Sequence, residues 1–185
     1  MTGSLLGRAH ALARFAITGC AAALAVAGCG SEAADDAAAP PPSLRFDTAA
    51  VRIVTKTDTI PLAVELAVSG EQKSTGLMER RQLADTAGML FVYDSVQSPE
   101  AGFWMYRTRI PLDIAYLDPA GRIRAIQHMA PCEARIPQGC PTYPPGVPYQ
   151  YALEVNGGFF ARRRVAVGDS VSVEEARTSP LDPAR

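Results

Sequence analysis

The sequence is poor in the side chains on which the common enzyme active sites depend. Among its 185 residues there are two histidines, His10 and His128. A Ser-His-Asp site needs a histidine oriented by a carboxylate, and a zinc site needs three or four Cys, His or carboxylate ligands. The sequence also lacks a Walker-type phosphate loop and a dinucleotide-binding fingerprint. We therefore assign no metal, no cofactor and no catalytic residue, and we interpret His128 as structural.

A strong charge bias is absent as well. Lys and Arg together number 18 and Asp and Glu 19, so the formal net charge is −1, and one short basic cluster covers residues 162–164. Binding to a phosphate backbone depends on basic groups, and this composition predicts no basic stripe. We therefore expect no nucleic-acid partner and interpret the cluster as a solvated helix or turn face.

The N-terminus lacks an apolar run long enough to span a bilayer, but it has the order of a lipoprotein signal peptide. Arg8 and Arg14 precede an apolar stretch at residues 15–28, whereas a spanning helix needs about 20 residues. The run Leu-Ala-Val-Ala-Gly-Cys ends at Cys29 and resembles the bacterial lipobox, whose cysteine receives lipid and begins the mature chain. Cys20 is a weaker second candidate. An ordinary secretory signal with a chance cysteine is the alternative.

This signal predicts an exported protein, anchored to a membrane by lipid on Cys29, with its domain on the periplasmic face. Gly30 and Ser31 follow the cysteine. The absence of an aspartate there resembles the pattern of Gram-negative lipoproteins that move to the outer membrane. We therefore predict the outer membrane if the cell is Gram-negative, and the membrane is the first expected partner.

Composition divides the chain into four parts. Residues 1–28 are the predicted signal peptide. Residues 29–46 are a predicted disordered tether of alanine, proline and acidic residues, with too little apolar surface to offset the entropy of ordering. Residues 47–176 have the length of a single domain. Residues 177–185 are a predicted disordered tail.

Within the domain, apolar residues recur mostly with period two, which indicates about eight short strands. The segment 62–68 shows this alternation clearly. Ser69 and Gln72 have the spacing of a capping box at the start of a helical segment over residues 70–81. The proline- and glycine-rich stretch at 130–149 predicts a long loop. The predicted fold is α+β, mostly antiparallel β, with a small barrel-like or sandwich sheet and one clear helix.

The predicted loop contains Cys132 and Cys140, eight positions apart. If Cys29 carries lipid and Cys20 is removed with the signal peptide, these two are the cysteines that remain. An exported protein meets an oxidising environment, so we predict a disulfide between them. A metal or redox pair is the alternative.

Three residues interrupt apolar runs and are candidates for a site. Trp104, the single tryptophan, either packs in the core or lines an aromatic groove that stacks on a sugar. Asp113 alternates to the face opposite its apolar neighbours, where its carboxylate must be solvated or paired. Glu154 poses the same choice between a structural ion pair and an acid of the site. The basic partners available to Asp113 are Arg80, Arg81, Arg107 and Arg109.

Several motifs, in their order along the chain, resemble a known family. They are Gly-Leu-Met-Glu-Arg at 76–80, Gly-Met-Leu-Phe at 88–91, Phe-Trp-Met at 103–105, Ile-Pro-Leu-Asp-Ile at 110–114, Pro-Cys at 131–132, Cys-Pro-Thr-Tyr at 140–143, Tyr-Ala-Leu-Glu-Val-Asn-Gly-Gly at 151–158 and Gly-Asp at 168–169. Together they resemble the bacterial and archaeal family called domain of unknown function 192, DUF192. The resemblance implies a compact, mostly β domain that is often exported and has no established activity.

The resemblance also points to polar positions that match its motifs. These positions are Arg80, Thr108, Asp113 and Glu154. With Trp104 they form the predicted ligand-binding set. Family members commonly read Phe-Trp-Met-Lys-Asn-Thr, whereas this chain has Arg107 in place of the asparagine. If that asparagine contacts a ligand, Arg107 alters the contact.

Two functions from different classes follow from these observations. The first is an envelope lipoprotein that serves as a non-catalytic binding or accessory module for an envelope saccharide, a peptidoglycan fragment or another small ligand near Trp104. The alternative is a carboxylate-dependent hydrolase or lyase acting on envelope saccharide, in which Asp113 works with Glu154 or with an arginine. A glycosidase of this kind requires Asp113 and Glu154 in one cleft, with their carboxyl groups within about 10 Å. A purely structural role, in which these residues form a buried network that fixes strand register, is the third interpretation.

Overall fold

The computed structural model describes residues 44–173. The predicted signal peptide, the lipid site at Cys29 and the tail at 177–185 lie outside the described residues. The strands are β1 (Asp47–Val54), β2 (Thr59–Ala67), β3 (Ala87–Gln97), β4 (Phe103–Trp104), β5 (Leu112–Leu117), β6 (Ile123–Met129), β7 (Thr142–Tyr143), β8 (Tyr149–Asn156) and β9 (Ser170–Val173). The helices are α1 (Gly70–Thr75) and α2 (Phe159–Arg163).

Seven of these strands form one curled sheet in the order β6-β5-β8-β3-β2-β1-β9, and β4 pairs with β7 in a separate ribbon. Neighbours in the large sheet are antiparallel, except that β2 and β3 are parallel and are joined through α1. The two edges of the sheet meet at one end. There the Val171 amide donates to the Gly121 carbonyl at 2.8 Å, and the Ile123 amide donates to the Asp169 carbonyl at 2.8 Å. The predicted α+β, mostly antiparallel, barrel-like fold is confirmed.

The sheet separates two apolar cores. The inner core fills the curled sheet and includes Phe159 of α2, and the outer core covers the opposite face. Strand β5 shows the division, since Ala115 and Leu117 belong to the inner core and Ile114 and Tyr116 to the outer one. All six residues of β5 are buried. A polar residue on such a strand must therefore find a partner or a cavity.

The start of α1 has the predicted capping box. The Gln72 amide donates to Ser69 Oγ at 3.1 Å, and the Ser69 amide donates to Gln72 Oε1 at 2.9 Å. The helix is shorter than the predicted segment 70–81, because it ends at Thr75 and Gly76 takes a φ of +47°. That backbone conformation favours glycine, and it turns the chain back toward the outer core.

Two short features were not predicted. Helix α2 has five residues, which is too short for a helical period of apolar residues to show in the sequence. The predicted loop at 130–149 contains the 3₁₀ turn Pro137–Gly139 and the two-residue strand β7. Both exist because of tertiary contacts, α2 through Phe159 in the inner core and β7 through its pairing with β4.

Candidate functional site

A cavity of about 320 Å³ opens on the outer face of the sheet. Its walls come from α1 and the turn after it, from β3 and β4, from Thr108, and from Glu154 of β8. We call it the Glu154 pocket. Its volume lies at the lower end of the range of small-molecule sites, about 300–1,000 Å³.

Glu154 is the one carboxylate that lines this pocket in the described part of the chain. Strand β8 lies between β3 and β5, where Glu154 is the cross-strand neighbour of Met89 and Ile114, and the residue is 4% exposed. Within residues 44–173, no group forms a hydrogen bond or an ion pair with its carboxyl. Burial disfavours the charged form and raises the pKa of Glu154 to about 8. This carboxyl group is free to meet a ligand.

Aromatic rings form one wall of the pocket. Phe91 and Phe103 pack edge to face with their ring centroids 4.8 Å apart. Trp104 follows Phe103 on β4, lines the pocket and is 41% exposed. An exposed tryptophan beside a cavity offers a flat apolar surface to a ligand. The structure therefore places Trp104 at the site rather than in the core.

Thr108 and Lys73 are polar residues of the lining, together with Ser74 and Thr75. Thr108 is buried, and no described residue forms a hydrogen bond with its hydroxyl group. Lys73 of α1 lies over Tyr93 of β3, with Nζ 4.6 Å from the ring centroid. Of the predicted ligand-binding set, the pocket thus brings together Trp104, Thr108 and Glu154.

A disulfide braces the wall that contains Trp104. Cys132 and Cys140 are bonded, as predicted, and their Cα atoms are 5.8 Å apart. Tyr106, two residues after Trp104, forms a bridge with Cys132. Strand β7, which begins two residues after Cys140, pairs with β4. The bond therefore connects the two chain segments that support the aromatic wall.

Asp113 lies on the opposite face of the sheet from Glu154. It is the cross-strand partner of Val155, whereas Glu154 is the partner of Ile114. Its carboxylate lies 2.8 Å from Nδ1 of His128 and accepts a hydrogen bond from the Phe160 amide of α2 at 3.3 Å. Asp113 is paired, as one of the two expected outcomes, but its partner is His128, directly across on β6, rather than one of the arginines named as available.

The carboxylate-pair hypothesis is wrong. A glycosidase needs both carboxyl groups in one cleft. Asp113 faces the inner core and α2, and Glu154 faces the pocket, with the sheet between them. The structural role assigned to His128 agrees with its contact to Asp113 and, through that carboxylate, with α2.

Three of the four arginine candidates pair with other acids. Arg80 forms an ion pair with Glu65 at 2.6 Å and does not line the pocket. Glu79 accepts hydrogen bonds from Arg107 at 2.8 Å and from Arg109, and these two arginines lower the pKa of Glu79. Arg107 has a φ of +57°, a conformation in which asparagine is enriched. The asparagine that the resemblance implies at this position would fit the same backbone conformation.

Lys73, Phe91 and Tyr93 are among the lining residues that were not predicted from the sequence. Phe91 and Tyr93 share the face of Met89 on β3, because alternate residues of a strand point to one side. Met89 is the partner of Glu154. The pairing of β3 with β8 would have been enough to find Phe91 and Tyr93, but strand pairing between distant segments is not visible in one sequence.

Two further observations bear on the type of site. Across residues 44–173, no three His, Cys, Asp or Glu side chains gather as metal ligands would. In the same residues, no helix has both the length and the apolar character to cross a membrane.

Comparison with known proteins identifies the family of this β domain. Residues 52–173 match DUF192, described as "Uncharacterized ACR". The chain belongs to this family. No curated protein matches the chain.

Two solved structures are similar to the chain. One, from Sinorhizobium meliloti 1021, is described as a suspected transcription regulator; it is 34% identical over 70% of this chain and 96% of that one, with a TM-score of 0.61. The other, a protein of unknown function from Novosphingobium aromaticivorans, is 31% identical over 77% of this chain and 99% of that one, with a TM-score of 0.59. These relatives support the fold and the family, and the site must be interpreted from its own chemistry.

Proposed function

We propose that the chain is an exported lipoprotein whose β domain serves as a non-catalytic binding module of the cell envelope. Lipid on Cys29 holds it to the membrane, the outer membrane if the cell is Gram-negative, and the proline-containing segment that follows acts as a spacer. The binding role is supported by one observation above all. Glu154 is buried beside an aromatic wall and has no partner in the described residues.

The proposed ligand is a small unit of an envelope saccharide or peptidoglycan fragment. A sugar ring can stack on the exposed Trp104, while its polar groups hydrogen-bond to Thr108 and Glu154. A cavity of about 320 Å³ admits one such unit rather than a polymer. Nucleic acid is not part of the proposal, since a formal net charge of −1 gives little attraction for phosphate.

The anchor makes a prediction about cell fractions. Cys29→Ala should move the protein from the membrane fraction to the soluble fraction and abolish its labelling by radioactive palmitate, because the acceptor of the lipid is lost. Cys20→Ala is the matched control and should leave both results unchanged. If Cys29→Ala keeps the label and Cys20→Ala loses it, the lipid is attached to Cys20 and the proposed anchor at Cys29 is wrong.

The binding role makes a prediction about the single tryptophan. Muropeptides and envelope sugars, titrated one by one, should change the fluorescence of Trp104, because it is the only tryptophan and lines the pocket. Calorimetry should show that Trp104→Ala weakens binding at least about tenfold, or about 1.4 kcal/mol. Ile136→Ala removes an exposed apolar side chain away from the pocket and should not change the affinity. If no member of the panel changes the fluorescence of Trp104, the saccharide proposal is ruled out.

A further inference from the structure

The Glu154 pocket is lined by groups that attract positive charge. Glu154 supplies a carboxylate, and the faces of Phe91, Phe103 and Trp104 bear the negative side of the ring quadrupole. The last residues of α1 also line the pocket. Of its last four carbonyl groups, those of Gln72 and Thr75 accept hydrogen bonds from the Gly76 and Met78 amides, and those of Lys73 and Ser74 have the partial negative charge of a helix C-terminus.

Lys73, the one basic residue lining the pocket in the described chain, does not neutralise this charge. Its ammonium lies over the Tyr93 ring, 4.6 Å from the centroid. No ion pair joins it to Glu154 within residues 44–173. The wall thus already holds one ammonium against a ring, while the Glu154 carboxyl beside it has no cation to stabilise its ionised form.

We propose that the ligand of the Glu154 pocket has a protonated amine, which pairs with the Glu154 carboxylate and lies against the aromatic wall. An ammonium group has three donors and no acceptor, so it matches a carboxylate, an aromatic face and a carbonyl at once. This inference deepens the proposed binding function and rests on it. Its ligand class is small organic amines, of which amino sugars and the free amines of peptidoglycan peptides are envelope examples.

Binding of an amine should change the protonation of Glu154. Because burial raises the pKa of Glu154 to about 8, the carboxyl is mostly neutral at pH 7 in the empty pocket. Pairing with an ammonium favours its ionised form, so binding must release the Glu154 proton to the buffer. Tyr93 and Tyr116 face Glu154 from β3 and β5, and burial raises their pKa values, so they stay neutral. Lys73 is the remaining charged group, and it faces Tyr93.

Two matched pairs of probes test the charge requirement by titration calorimetry at pH 7. They are cyclohexylamine with cyclohexanol, and glucosamine with glucose. Each amine should bind at least tenfold more tightly than its neutral partner. Repeating the cyclohexylamine titration in phosphate and in Tris, which differ in ionisation enthalpy, should show release of nearly one proton. Glu154→Gln, nearly isosteric, should lose at least tenfold in affinity for the amines and should release no proton.

The outcomes separate this inference from the proposed function. If glucose and glucosamine bind equally, without proton release, the amine inference is overturned and the binding module stands. If neither amine binds while envelope sugars without an amine do, the result is the same. If nothing in either panel binds, both proposals fail. Proton release is measured on the unaltered protein, so the test does not depend on the folding of the variant.

Discussion

The domain should lose stability as the pH rises from about 5 to about 8, and Glu154→Gln should remove that part of the loss. Burial raises the pKa of Glu154 from 4.5 to about 8 in the folded state. Below pH 4.5 the carboxyl is protonated in both the folded and the unfolded state, so its ionisation does not lower the unfolding free energy. Between the two pKa values the unfolded chain releases the proton that the folded chain keeps, so unfolding is favoured as the pH rises. Above pH 8 the cost is constant.

The expected size is a few kcal/mol, because each unit of pKa difference corresponds to about 1.4 kcal/mol. Urea unfolding, followed by Trp104 fluorescence and far-ultraviolet circular dichroism at a series of pH values, measures it. The unaltered protein and Glu154→Gln should have similar unfolding free energies at pH 5, and the variant should be more stable at pH 8.5. Because the result is a difference between variants, other groups that titrate in this range largely cancel.

Glu100→Gln controls for the loss of one negative charge, since Glu100 is exposed. It should not reproduce the effect. Equal slopes for Glu154→Gln and the unaltered protein between pH 5 and 8 would mean that Glu154 ionises in the folded state as readily as in the unfolded chain. That result would also remove one reason to regard Glu154 as a buried acid whose partner is a ligand.

Local patterns in the sequence predicted the parts of this fold that depend on local rules. The capping box at Ser69 and Gln72 follows from side chains three positions apart, and the structure has it. The opposite orientation of Asp113 and its apolar neighbours follows from the two-residue period of a strand. The bonded pair of Cys132 and Cys140 was predicted from the number of cysteines that would remain if the chain is exported and lipidated, and the structure has this bond.

The features that the sequence did not predict depend on contacts between distant segments of the chain. The pocket forms where α1, β4 and β8 meet, and these lie far apart in the chain. Asp113 and Glu154 look alike in sequence, as acids within buried strands. Strand pairing separates them, because β5 and β8 are antiparallel neighbours whose register puts one acid on each face of the sheet. Asp113 has a histidine partner, whereas Glu154 lines a cavity.

The contact between the two edges of the curled sheet predicts the second large effect, at Gly121. This glycine ends the turn after β5 with a φ of +76°, and a Cβ atom there would lie 2.3 Å from the carbonyl oxygen of Val171 on β9. Gly121→Ala should therefore force β9 away from the turn and break the hydrogen bond from the Val171 amide to the Gly121 carbonyl. We expect a loss of about 3 kcal/mol or more in unfolding free energy, measured by urea titration.

Gly146→Ala separates the two sources of this loss. Gly146 also has a positive φ, +69°, but no atom lies within 4 Å of the position of its Cβ. In this variant the unfolding free energy should fall by only about 1–2 kcal/mol, which is the strain that a Cβ atom causes in the left-handed conformation. The excess loss in Gly121→Ala then measures the contact between the edges of the sheet. Amide exchange should become faster at Val171 and Ile123 in Gly121→Ala alone. Equal losses in the two variants, with exchange unchanged at both amides, would mean that edge contact adds nothing to stability and that α2 and the inner core hold the sheet in its curled form.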